Sequence, residues 1–135
     1  MKRLFYIICL MLFLTSCDPW FLVGDYVLWI ENKGDSKVCF LLNYDYPDTL
    51  LPQSKKHVQT LSTGRRTHLV CSKQEWKDSF SEHFPSDTLH IFFFDPDTIN
   101  AYDWETIVSD YKVMESRVYS RQDLEDCGWN TITYP

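Results

Sequence analysis

Four histidines, His57, His68, His83 and His90, and five cysteines are the residues best suited to bind a metal. Their spacing does not support it. No His-x-His or His-x₃-His pair occurs, and the intervals of 32 and 56 residues between Cys39, Cys71 and Cys127 match no Cys-x₂-Cys site. Asp95-Pro-Asp97 with Asp103 partly matches a calcium loop, but Ile99 stands where an oxygen ligand belongs and Asn100 where the loop needs glycine. Turn and cap duty suits these aspartates better. Nucleophilic catalysis lacks a Gly-x-Ser-x-Gly elbow. His68 and Cys71 sit three apart, and a regular strand would place them on opposite faces. Four glycines form no phosphate-binding loop. Glu75, Glu82, Glu105, Glu115 and Glu125 could supply a carboxylate pair for glycoside hydrolysis, but all except Glu115 fall on helix faces expected to be solvated.

Aromatic side chains are the positive signal. Tyr44 and Tyr46, beside Pro47, fall in an expected loop, and Tyr102 and Trp104 form a second cluster. Tyrosine and tryptophan offer rigid contact area for proteins or sugars. These four are the candidate binding residues, with envelope proteins or glycans as partners. No cofactor and no metal is expected.

The partners follow from the amino terminus. Lys2 and Arg3 precede an uncharged apolar stretch from Leu4 to Leu14. As a helix those residues cover about 16 Å, against the roughly 30 Å of a bilayer core. The stretch is too short to span and suits a signal peptide. It closes on Leu14-Thr15-Ser16-Cys17, which resembles the lipobox of bacterial lipoproteins. The resemblance implies cleavage before Cys17 and lipidation of Cys17. Each buried CH₂ of the lipid contributes about 0.8 kcal/mol, so two or three chains anchor nearly permanently. Residues 1–16 are then signal peptide, 17–24 a tether and 25–135 one globular domain. Asp18 leaves the membrane open, outer membrane or periplasmic face of the inner one.

Charge sharpens this expectation. The chain holds 13 basic and 19 acidic residues, a net charge of −6. Losing Lys2 and Arg3 with the signal peptide leaves a net charge of about −8, which opposes nucleic acid, whose phosphates demand lysine and arginine. It equally opposes a polybasic membrane surface. Cys9 leaves with the signal peptide, so Cys39, Cys71 and Cys127 remain. An oxidising compartment permits one disulfide, and buried thiols otherwise pack as small hydrophobes.

The elements that position these residues are strand-rich. Tyr26–Ile30, Val38–Leu42, His57–Leu61, Thr67–Cys71, Thr88–Phe94, Val113–Tyr119 and Thr131–Tyr134 have strand composition. The continuous apolar run of Thr88–Phe94 predicts a central strand buried on both faces. Asn32–Asp35 and Ser62–Arg65 read as turns. Ser72-Lys-Gln-Glu75 reads as a capping box opening a helix from Gln74 to about Ser81, with Trp76 and Phe80 on one face. Asp103 caps a helix over Trp104–Tyr111. Ser120-Arg-Gln-Asp123 opens a third, which Gly128 closes. The expected class is α+β, a mostly antiparallel sheet or β-sandwich with about three short helices in a single small domain.

Asn43–Thr49, Ile91–Thr98, Trp104–Ile107 with Tyr111, and the ending Trp129-Asn-Thr-Ile-Thr-Tyr-Pro135 together resemble a group of small uncharacterised envelope lipoproteins of Gram-negative anaerobes. The resemblance implies a lipoprotein with one compact domain and carries no activity. The expected function is a lipid-anchored, non-enzymatic binding or scaffolding module. The alternatives are an envelope hydrolase using a fold-assembled carboxylate pair, and a small inhibitor or immunity-type protein whose acidic face blocks a basic partner.

Overall fold

The computed structural model describes residues 26–43, 51–72 and 74–135. Its strands are β1 (Tyr26–Asn32), β2 (Val38–Asn43), β3 (Gln59–Leu61), β4 (Arg66–Ser72), β5 (Thr88–Phe94), β6 (Glu115–Ser120) and β7 (Thr131–Tyr134). Its helices are α1 (Trp76–His83), α2 (Pro96–Ala101), α3 (Trp104–Ser109) and α4 (Arg121–Asp126). The expected signal peptide, the expected lipidation site Cys17 and the expected tether lie outside the described residues, as do Tyr44 and Tyr46.

The strands form two sheets. One has three strands in the order β4-β1-β7, the other four in the order β3-β2-β5-β6. The second is wholly antiparallel, while β7 runs parallel to β1. The inner strands β2 and β5 carry the apolar runs because each has a sheet neighbour on both edges and a covered surface on both faces. Side chains alternate across a strand, so Val38, Phe40 and Leu42 join Leu89, Ile91 and Phe93 on one face. That face meets Leu28 and Ile30 of β1, Ile132 of β7, and Trp76 and Phe80 of α1. Cys39 and Leu41 join Phe92 and Phe94 on the other face, roofed by Ile99 of α2, Ile107 of α3 and Leu51. The result is a single α+β domain in three layers: small sheet, large sheet, helical roof.

Local chemistry sets the joints. Asn32 is fully buried at the end of β1. Its side-chain amide donates to the Ser36 and Leu61 carbonyls, and its oxygen accepts from the Gly34 N–H at 2.9 Å. One residue thereby closes the expected turn and ties β1 to β3. Ser120 and Asp123 make a reciprocal capping box at α4. Gly128, at φ +68°, and Trp129 end that helix. Their N–H groups donate to the Glu125 and Leu124 carbonyls at 2.9 and 2.8 Å, the paired pattern of a left-handed helix terminus.

Four expectations change. The strand His57–Leu61 is a 3₁₀ turn over Lys55–His57 followed by β3. Ser72 does not cap α1, because β4 extends through it; the cap residue is Glu75, and α1 starts at Trp76 rather than Gln74. A fourth helix, α2, stands where a turn was expected, with Asp95 accepting from the Asp97 N–H and Pro96 in the first turn, where a missing N–H costs nothing. Finally, α3 ends at Ser109, and β6 begins at Glu115 rather than Val113.

Candidate functional site

Tyr102 and Trp104, the two described members of the expected aromatic set, flank the start of α3 and differ in their surroundings. Trp104 is half-buried; its indole N–H donates to the Pro52 carbonyl at 2.8 Å and its ring meets Phe94 edge-on at 5.9 Å. Asp103 holds the start of the helix by accepting from the Thr106 N–H at 2.8 Å, and those donors lower its pKa. Tyr102 is 47% exposed, with the Lys112 ammonium 4.5 Å from its ring centre. Trp104 is thus engaged in packing, and Tyr102 keeps one face available.

The residues with nucleophilic or ligating chemistry are spread out. Two of them, His68 and Cys71, unexpectedly share one face of β4. β4 carries a bulge: Val70 pairs with Leu28 but His68 with Trp29, leaving Leu69 as an extra residue. Paired residues share a face. His68 opposite Trp29 and Cys71 opposite Val27 therefore lie on the same outer face of the small sheet. The expectation of opposite faces fails because a bulge resets the alternation. The His68 ring packs edge-on to Trp29 at 6.5 Å. Cys39 is buried with its thiol 3.3 Å from the Thr60 hydroxyl, Cys71 is half-buried and Cys127 exposed, and all three are free. Among the described residues no three His, Cys, Asp or Glu side chains gather as a metal site. No described helix is long and apolar enough to cross a membrane.

A cleft of about 430 Å³ opens between the two sheets, a size within the usual range for ligand sites. One wall is Arg117, Val118 and Tyr119 of β6; the other is Thr131, Ile132 and Thr133 of β7. Asp123, Asp126 and Cys127 close one end. β6 and β7 are the terminal strands of their sheets, so two outer edges line this opening.

Arg117 holds the cleft together. Its Nε donates to Glu115 at 2.6 Å and its guanidinium to the Thr133 carbonyl at 3.0 Å. The same group lies 5.4 Å from both the Phe93 and Tyr134 ring centres, and those rings stack at 4.4 Å. Glu115, as hydrogen-bond partner, raises the Arg117 pKa further. Arg121 of α4 is turned away, donating to Asp87 at 2.9 Å, to Ser81 at 2.8 Å and to the Lys77 carbonyl. Asp123 accepts from the Ser120 hydroxyl and N–H, which lower its pKa and keep it ionised. Asp126 accepts from the Gln122 amide at 3.0 Å.

Chemically, the cleft offers carboxylates, backbone edges and one cation already matched by Glu115. A general acid needs a raised carboxyl pKa. The shifted carboxylates among the described residues, Asp87, Asp103 and Asp123, all move down. Sequence reasoning singled out none of the cleft residues for binding. Two open strand edges are made of backbone, which has no residue signature. Comparison with known protein families, characterised proteins and solved structures finds no match to this chain.

Proposed function

We propose that this chain is a lipid-anchored cell-envelope protein, tethered through Cys17, that binds an envelope partner and performs no catalysis. The observation that carries the binding half is the cleft between β6 and β7, with its outward strand edges and ionised carboxylates. The anchoring half rests on the basic start, the short apolar stretch and the Leu14–Cys17 pattern. Membrane contact runs through lipid, since the acidic chain has no polybasic surface to offer.

Two measurements test the two halves separately. Intact mass of protein from the native host should show loss of residues 1–16 and acyl chains on Cys17. Retention of the first sixteen residues, or an unmodified thiol at Cys17, overturns the anchoring. A photo-crosslinking residue placed at Thr131, with others at Tyr46 and Tyr102, should give a discrete adduct in cells from at least one position. Absence of adducts at all three overturns the binding role.

A further inference from the structure

We infer that the outer edge of β7 accepts a short basic peptide segment as an added β-strand; the inference rests on the binding role proposed above and names its partner. The first support is the direction of the backbone. Trp29 N–H donates to the Asn130 carbonyl at 2.8 Å and Lys33 N–H to the Tyr134 carbonyl at 2.6 Å. The even-numbered residues of this stretch therefore turn their peptide groups towards β1. Successive residues in a strand turn theirs to alternate sides, so Thr131 turns its N–H and C=O and Thr133 its N–H to the cleft, where the Thr133 carbonyl already accepts from Arg117. The bond from Arg117 to the Thr133 carbonyl fixes that direction independently. The sheet order ends at β7, so no described strand pairs with this edge. An unpaired edge is a template for another chain, and strand addition is a recurrent way of capturing an extended peptide.

The second support is charge. Among the lining residues, Arg117 is the one cation, and Glu115 matches it. Asp123 and Asp126 remain, one at the first turn of α4 and one at its last. A segment lying along Thr131–Thr133 with lysine or arginine at alternate positions would set its cations towards these carboxylates and leave its backbone for β7. A second copy of this chain fits poorly, because a molecule of net charge −6 would bring like charge to an acidic cleft. β7 spans four residues, about 13 Å of extended chain, so the contact is short and calls for affinity in the micromolar range or weaker.

The test uses the full chain in detergent micelles and two end-blocked peptides, one of repeating lysine–valine and one of repeating glutamate–valine. The lysine peptide should bind about tenfold or more tightly than the glutamate peptide, and lose affinity steeply from about 0.05 M to about 0.5 M salt. It should slow amide hydrogen exchange at Thr131 and Thr133 by about tenfold or more, with little change at Ile132, whose amide already faces β1. Asp126→Asn should weaken binding about threefold, with unchanged exchange in β2 and β5 certifying the fold. Equal affinity for both peptides, or binding without protection of Thr131 and Thr133, overturns the inference. So does protection of those amides that rises with protein concentration alone, which would make the occupant a second copy. If neither peptide binds while crosslinked adducts form in cells, the inference falls and the binding role stands.

Discussion

Among the described residues, the Trp104 corner and the β6–β7 cleft are two candidate contact regions, and they are built in opposite ways. At the corner the chemistry lies in side chains turned inward: the Trp104 indole donates to Pro52 and its ring packs on Phe94. At the cleft the chemistry lies in backbone turned outward along β7. The corner belongs to the drier side of the molecule, the helical roof over Cys39, Leu41, Phe92 and Phe94. The cleft carboxylates are exposed, and Asp123 has its pKa lowered by Ser120. Of the two described candidate aromatics, then, Trp104 closes the core while Tyr102 keeps an exposed face.

The largest test of that contrast is Trp104→Ala. It removes an indole hydrogen bond and a ring packed against the Phe94 cluster, and should cost about 3 kcal/mol of stability. Urea unfolding measures the loss. Binding at the cleft should be unchanged once the protein is folded. A loss well under about 1 kcal/mol would show the corner to be a surface feature and weaken the contrast.

Arg117→Ala attacks the other region. It removes a charge-assisted bond to Thr133 and the cation over Phe93 and Tyr134, the contacts that span the two sheets beside the cleft. The expected cost is about 2 kcal/mol. Arg117→Lys should recover less than half of it, because an ammonium cannot bond Glu115 and Thr133 as a planar fork does. Full recovery by lysine would reduce the role of this residue to charge alone.

His90 probes the dryness of the roof. It is buried on β5, with its ring 4.2 Å from that of Phe92. Burial lowers its pKa from the ordinary 6.5. On acidification the unfolded chain therefore takes up the proton first. Its contribution is complete above about pH 6.5 and is lost as pH falls below that value, with a ceiling near 1.4 kcal/mol per pH unit for one proton. The lowered carboxylates, Asp87, Asp103 and Asp123, act in a separate window below their ordinary 3.8. His90→Phe should flatten the stability profile on the acid side of about pH 6.5 in denaturant titrations. A slope that survives the substitution would assign the proton elsewhere.

Ser120→Ala is smaller. It breaks the capping box at the start of α4, the helix that carries Asp123 and Asp126, and should cost about 1 kcal/mol. If the box also positions the cleft carboxylates, the same variant should weaken the lysine peptide while Trp104→Ala does not. Equal effects of the two on binding would erase the distinction between the regions.

How much of this was readable beforehand depends on where the information resides. The double burial of β5 follows from an unbroken run of large apolar side chains, and the α4 box from Ser120 with Asp123 three residues later. Both are side-chain patterns in one short window. The Ser72–Glu75 box has the same pattern and fails, because β4 extends through Ser72. α2 was signalled by Asp95-Pro96, a helix cap and first residue, but the same pair opens turns. The bulge at Leu69 leaves no mark on composition, yet it moves His68 and Cys71 to one face. The cleft was least legible of all. It arises from the parallel pairing of β7 with β1 across about a hundred residues of chain, and the groups along its β7 edge are peptide N–H and C=O.

The smallest expected effect decides most about function. Tyr102→Ala removes a ring that is 47% exposed and lies beside the Lys112 ammonium. An exposed cation–π pair contributes about 0.5–1 kcal/mol at most, so stability should fall by about 0.5 kcal/mol. Peptide affinity at the cleft should not change. The crosslinking pattern supplies the discriminating readout. If Tyr102→Ala abolishes partner adducts in cells while the unfolding curve stays in place, recognition belongs to the exposed tyrosine beside the roof. If adducts persist and only Asp126→Asn reduces them, the aromatic corner is structural and the open edge of β7 is where this domain meets its partner.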